Sequence, residues 1–123
     1  MQDEPTLFKL VFMLDEKMYS YFLAIRNGYV IEEYLASLTA DQEELFFERT
    51  VDGMEFGNAW DNDILLTEIA KTLSEKGTFA GRIAKILSNN EKYTEINSVY
   101  HFLERIFWVS PFNYPQHLPG FLR

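Results

Sequence analysis

The chain of 123 residues has no cysteine, which removes disulfide bonding, thiolate metal sites and thiol nucleophiles from consideration. Histidine is nearly absent: only His101 and His117 occur, neither in His-x-x-x-His nor in Glu-x-x-His spacing, and both read as surface or boundary residues. The six glycines, at 28, 53, 57, 77, 81 and 120, form no Gly-x-Gly-x-x-Gly or Walker spacing, so no phosphate cradle is evident. No serine sits in a Gly-x-Ser-x-Gly elbow. Long apolar runs are missing too. The stretch from Leu7 to Leu14 is short and is interrupted by Lys9, and residues 1–5 carry Asp3 and Glu4 where a signal peptide needs positive charge. These features predict a cytoplasmic protein. Positive charge is scarce: 11 Lys and Arg stand against 19 Asp and Glu, a net charge of −8. That balance disfavours nucleic acid and anionic membrane and favours a basic partner.

Aromatic residues are plentiful. Eleven Phe, seven Tyr and two Trp give one soluble globular domain over residues 1–123 ample surface to bury. The expected fold class is all-α, a single-domain bundle of five to six helices. Asn27-Gly28 would stop a first helix over residues 6–26, and a second would cover 29–38. Thr39 with Gln42 would box the start of a third over 40–52, with Gly53 ending it. After a loop over 54–60, Asp61 or Asn62 would cap a helix to Lys76 with Leu66, Ile69 and Leu73 on its inner face. Thr78 would cap the next, whose stripe is Phe79, Ile83, Ile86 and Leu87, and a last helix would run over 91–109. Pro111, Pro115 and Pro119 forbid helix in residues 110–123, read as an extended tail pinned across the bundle by Phe112, Tyr114, Leu118, Phe121 and Leu122. The alternative is α+β with an N-terminal hairpin near residues 18–32, because Asn-Gly between β-favouring residues is a hairpin signal.

Two patterns invite a chemical reading. Asp52-Gly53 and Asp61-Asn62-Asp63 look calcium-like but lack the ligand alternation of an EF-hand loop, so neither a metal nor a cofactor is expected. Residues 66–84 resemble a helix-turn-helix, and Arg82 and Lys85 share a helix face. The second helix, however, begins Phe79-Ala80-Gly81, which offers almost no donors to bases, so two ordinary packed helices are expected.

The distribution of charge is more informative. Residues 1–70 carry a net −11 and residues 71–123 a net +3. Between 32 and 68 there are 11 acidic residues and one base, Arg49. On a helix over 40–52, Ala40, Phe47 and Val51 would face the core, while Asp41, Leu45, Glu48 and Asp52 would share the opposite face, flanked by Glu44 and Glu55. Apolar anchors ringed by steering charge compose a binding face. The expected partner-binding set is Asp41, Glu44, Leu45, Phe46, Glu48, Asp52, Glu55, Trp60, Asp61 and Asp63, with Tyr34 and Phe56 as further aromatic anchors. Spaced carboxylates can take the places of phosphates, so a basic nuclease site is a natural target. A carboxylate-based hydrolase using Glu48 and Asp52 is the enzymatic rival, disfavoured by the lack of a pocket to raise one pKa.

Size, acidity, lack of cysteine, aromatic content and lack of a catalytic set together make the chain similar to the small acidic immunity proteins of bacterial polymorphic toxin systems, including contact-dependent growth inhibition. The resemblance implies a cytoplasmic protein that binds the active-site region of a toxin, often a nuclease, and blocks it; the expectation taken forward is a non-enzymatic monomer that binds a basic toxin domain, a ribonuclease, 1:1. The rival is a regulatory or adaptor domain that binds through the proline-aromatic tail.

Overall fold

Tyr19, Tyr21, Phe22 and Ile25, followed by Tyr29, Val30, Ile31 and Tyr34, load two adjacent segments with β-branched and aromatic side chains. Such residues fit a pleated surface better than a helix. In the computed structural model, which describes residues 4–106, these segments are strands. Five antiparallel strands follow one another as a meander: β1 (Thr6–Leu14), β2 (Lys17–Arg26), β3 (Tyr29–Leu38), β4 (Glu43–Thr50) and β5 (Gly53–Phe56). Three helices come after them: α1 (Ile64–Lys71), α2 (Phe79–Ile86) and α3 (Thr94–Ile106), with short 3-10 turns at Asn58–Trp60 and Glu91–Tyr93.

The all-α expectation is therefore overturned. Residues 6–26, 29–38 and 40–52, read as helices, form strands and their turns. The physical reason lies in the turns. Asn27 and Gly28 adopt φ of 53° and 83° between the paired Arg26 and Tyr29, the doubly left-handed geometry of a two-residue hairpin loop. Asp15 and Glu16 do the same, at 55° and 67°, between Leu14 and Lys17. Thr39 caps no helix; its hydroxyl accepts from the Gln42 and Asp41 N–H groups in the β3–β4 turn. Val51, expected in the core, is 78% exposed at the β4–β5 turn.

Helix signals in the second half were sounder, although the elements are shorter than expected. Asp63, rather than Asp61 or Asn62, caps α1, which ends at Lys71 and not at Lys76. The Thr78 side chain caps α2 by accepting from Gly81 N–H. Ile96, Val99 and Leu103 form the buried stripe of α3. The tail over 110–123 lies outside the described residues.

Contacts between the helices and the sheet fall on one sheet face. Phe12 stacks on Phe102 of α3 with centroids 4.6 Å apart, and Phe47 meets Phe79 of α2 edge-on at 4.9 Å. Tyr19, Tyr21, Leu23 and Leu35 join them in one core with Leu66, Ile83, Val99 and Leu103. Among the described residues, no helix is long and apolar enough to cross a membrane.

Candidate functional site

The opposite face of the sheet carries no helix among the described residues. Strand register sets its composition, because alternate residues point to it. One row crosses the whole sheet: Lys9, Phe22, Tyr34, Glu48 and Glu55 lie side by side. The next row holds Val11, Ser20, Ala36 and Leu45, and the one beyond it Met13, Met18, Leu38 and Glu43. Glu32 stands opposite Thr50. Apart from Lys9, the β1 half of this face is apolar and open to solvent, with Leu7 59% and Met13 61% exposed. The β4–β5 half is acidic.

A bulge in β4 decides which of its apolar residues reach this face. Leu35 pairs with Phe47 and Ala36 with Leu45, which leaves Phe46 as an extra residue in β4. Phe46 and Phe47 are both buried, whereas Leu45 stays on the open face. Gly57 N–H closes the bulge by donating to the Phe46 carbonyl at 3.0 Å.

The structure gathers part of the expected binding set and disperses the rest. Glu48, Asp52 and Glu55 line one shallow concavity of about 390 Å³ with Thr50, Gly53 and Met54. Glu48 and Glu55 are direct cross-strand partners, a like-charge pairing that costs stability. Leu45 lies beside them on the same face. Glu44 instead pairs with Ser37, in the row that continues to Tyr19 and Phe12 on the helix-bearing side. Asp41 is exposed in the β3–β4 turn, and Asp61 is exposed after the 3-10 turn Asn58–Trp60. The helical geometry that joined Asp41, Leu45, Glu48 and Asp52 does not exist, because the segment is a strand with a period of two.

Three expected contact residues are buried. Phe46 is 8% exposed and Trp60 7%; their rings lie 5.2 Å apart inside the core. Asp63 is buried at the start of α1, where it accepts from Leu66 N–H at 3.0 Å and Tyr93 OH at 2.8 Å and pairs with Lys92 Nζ at 3.0 Å. Burial is the largest single influence on Asp63 and pushes its pKa up. The Leu66, Tyr93 and Lys92 interactions together outweigh it, so the carboxyl titrates below the usual aspartate value.

Tyr34 donates its hydroxyl proton to the Glu43 carboxylate across this face. Burial first, then Glu43 and the charge of Glu48, raise the Tyr34 pKa, so the phenol stays a neutral donor. Phe22 was not anticipated as a site residue. A period-two reading of β2 and β3 would have placed it beside Tyr34.

A second carboxylate constellation lies beneath the sheet. Glu33 is fully buried and accepts from Phe79 N–H at 2.6 Å, Ala80 N–H at 3.3 Å, Tyr21 OH at 2.8 Å and Arg49 Nη1 at 3.3 Å. Arg49 also donates to the carbonyls of Gly77 and Ser74. Burial raises the Glu33 pKa, opposed by these hydrogen bonds and by Arg49. Both oxygens are occupied by donors of the fold, so this group fastens α2 and the preceding loop to the sheet. Among the described residues, no group of three or more His, Asp or Glu is placed to hold a metal ion. Comparison with family models, curated proteins and solved structures yields no match.

Proposed function

We propose that this protein is a non-enzymatic inhibitor that binds a basic protein domain through the β4–β5 half of its open sheet face, in the manner of a toxin immunity protein acting on a nuclease. The observation that carries the reading is the direct pairing of Glu48 with Glu55 beside Asp52, with Leu45, Tyr34 and Phe22 on the same face. Like charges set opposite each other oppose folding. A basic partner turns that repulsion into attraction, speeds encounter, and finds apolar surface to bury next to the charge. The binding set reduces to Leu45, Glu48, Asp52 and Glu55, joined by Glu32, Tyr34 and Glu43.

The test is capture from native lysate in moderate salt by the wild-type protein and by the triple variant Glu48→Lys, Asp52→Lys, Glu55→Lys. The wild type is expected to retain a basic protein whose nuclease activity it suppresses, and the variant to retain none. A partner held equally by both proteins would place the interface elsewhere.

A further inference from the structure

Arg82 and Lys85, which share a face of α2, have no role in the acidic face and no carboxylate partner among the described residues. Both line a groove of about 400 Å³ whose walls come from the α1–α2 loop, α2 and α3, including Ser74, Thr78, Gly81 and Tyr100. The Arg82 Nε is buried and has no hydrogen-bond acceptor among the described residues. An orphaned buried donor costs roughly 1–3 kcal/mol, a cost that an acceptor reaching Arg82 would relieve.

Around these cations stand three hydroxyl groups. Ser74 Oγ accepts from Lys76 N–H and Thr78 Oγ1 from Gly81 N–H, which leaves the protons of both available. The Tyr100 phenol has no hydrogen-bond partner among the described residues. Burial, then Glu104 and Glu33, raise its pKa and keep it protonated. Of those two carboxylates, Glu33 is committed to Arg49, Tyr21 and the α2 backbone, and Glu104 is exposed, 3.4 Å from His101 Nδ1. The wall is fixed in place. Arg49 holds the carbonyls of Ser74 and Gly77, and the absence of a side chain at Gly81 admits the Tyr100 ring, since a Cβ there would lie 3.1 Å from Tyr100 Cε1.

We propose that this groove binds a phosphoryl group, free or as a monoester. Arg82 supplies a planar fork and Lys85 a point charge, and Ser74, Thr78 and Tyr100 donate to the remaining oxygens. Two cations with three neutral donors suit a dianion with three peripheral oxygens better than a carboxylate, which has two. The groove is also of the size that small ligands occupy.

The experiment titrates inorganic phosphate, phenyl phosphate and acetate into the ¹⁵N-labelled full chain at constant ionic strength. Phosphate is expected to give saturable amide shifts confined to residues 72–85 and 100. Lys85→Gln, an exposed substitution that leaves the fold intact, should weaken binding about tenfold, and Arg82→Lys should weaken it by a similar factor through loss of the fork. Tighter binding of phenyl phosphate than of inorganic phosphate would identify a monoester as the ligand, and equal binding free phosphate. Shifts that fail to saturate, survive Lys85→Gln unchanged, or arise equally with acetate would overturn the proposal.

Discussion

Glu33 and Arg49 form a buried ion pair, and such a pair can often be exchanged for apolar residues without loss. Here the exchange fails, because the two side chains also serve four backbone groups: the N–H groups of Phe79 and Ala80 and the carbonyls of Ser74 and Gly77. Glu33→Gln presents an amide donor to a site already filled with donors and leaves Arg49 without its counter-charge. It is expected to cost about 3–5 kcal/mol in urea denaturation. Asp63 carries a linked pH effect. Its pKa is depressed on folding, so its contribution is present above the unfolded value of 3.8 and is lost as the pH falls through the lower folded value. Glu33 works in the opposite sense: its raised pKa adds stability at low pH that is lost as the pH climbs above 4.5. Asp63→Asn keeps an oxygen for Leu66 N–H but gives up the ion pair with Lys92. It is expected to lower stability at pH 7 by about 1–3 kcal/mol and to flatten the acid limb of a stability-versus-pH curve.

At the level of elements, the helical second half was legible because its signals are local. Thr78 caps α2 from three residues away, and the stripe of Ile96, Val99 and Leu103 needs only a period of 3.6. The sheet was harder to read. β2 and β3 are central strands, so Tyr21 and Leu23 are buried on one face while Ser20 and Ala24 are buried on the other, between larger neighbours. Alternation is blurred where small residues of the open face lie sheltered by the larger side chains around them. In β4 the bulge at Phe46 breaks the period of two between Leu45 and Phe47. The acidic composition of the site was therefore readable while its geometry was not, since Glu48 and Glu55 meet only once β4 and β5 are paired. Asn27-Gly28 between β-favouring residues was the local clue to the hairpin. The β1–β2 turn can be improved in the same terms. Glu16 is held at φ 67° without being glycine, a conformation that costs roughly 1 kcal/mol. Glu16→Gly recreates the favoured Asp-Gly loop and is expected to raise the denaturation midpoint by an amount corresponding to about 1 kcal/mol.

At the scale of the molecule, the acidic residues Glu48, Asp52 and Glu55 gather on the sheet, while Arg82 and Lys85 stand together on the helical side. The negative charge is thus concentrated in the sheet: residues 4–56 carry a net −7, whereas residues 57–106 are close to balance at −1. That concentration has an energetic consequence. Glu48 and Glu55 repel across β4 and β5, and Asp52 adds to the same field, so folding proceeds against a local repulsion that salt screens. Glu55→Thr replaces the repulsion with a residue suited to a strand. It is expected to stabilise the protein by up to about 1 kcal/mol at low ionic strength, with the gain shrinking as salt rises from 10 to 150 mM and the screening length falls from about 30 to 8 Å. The same substitution is expected to slow association with a basic partner, because it removes part of the steering field. Thermal denaturation and stopped-flow association of one variant read the two effects together. A gain in stability with a loss in association rate identifies the pair as a feature held for binding at the expense of the fold. A gain in stability with an unchanged rate would show that Glu55 serves neither.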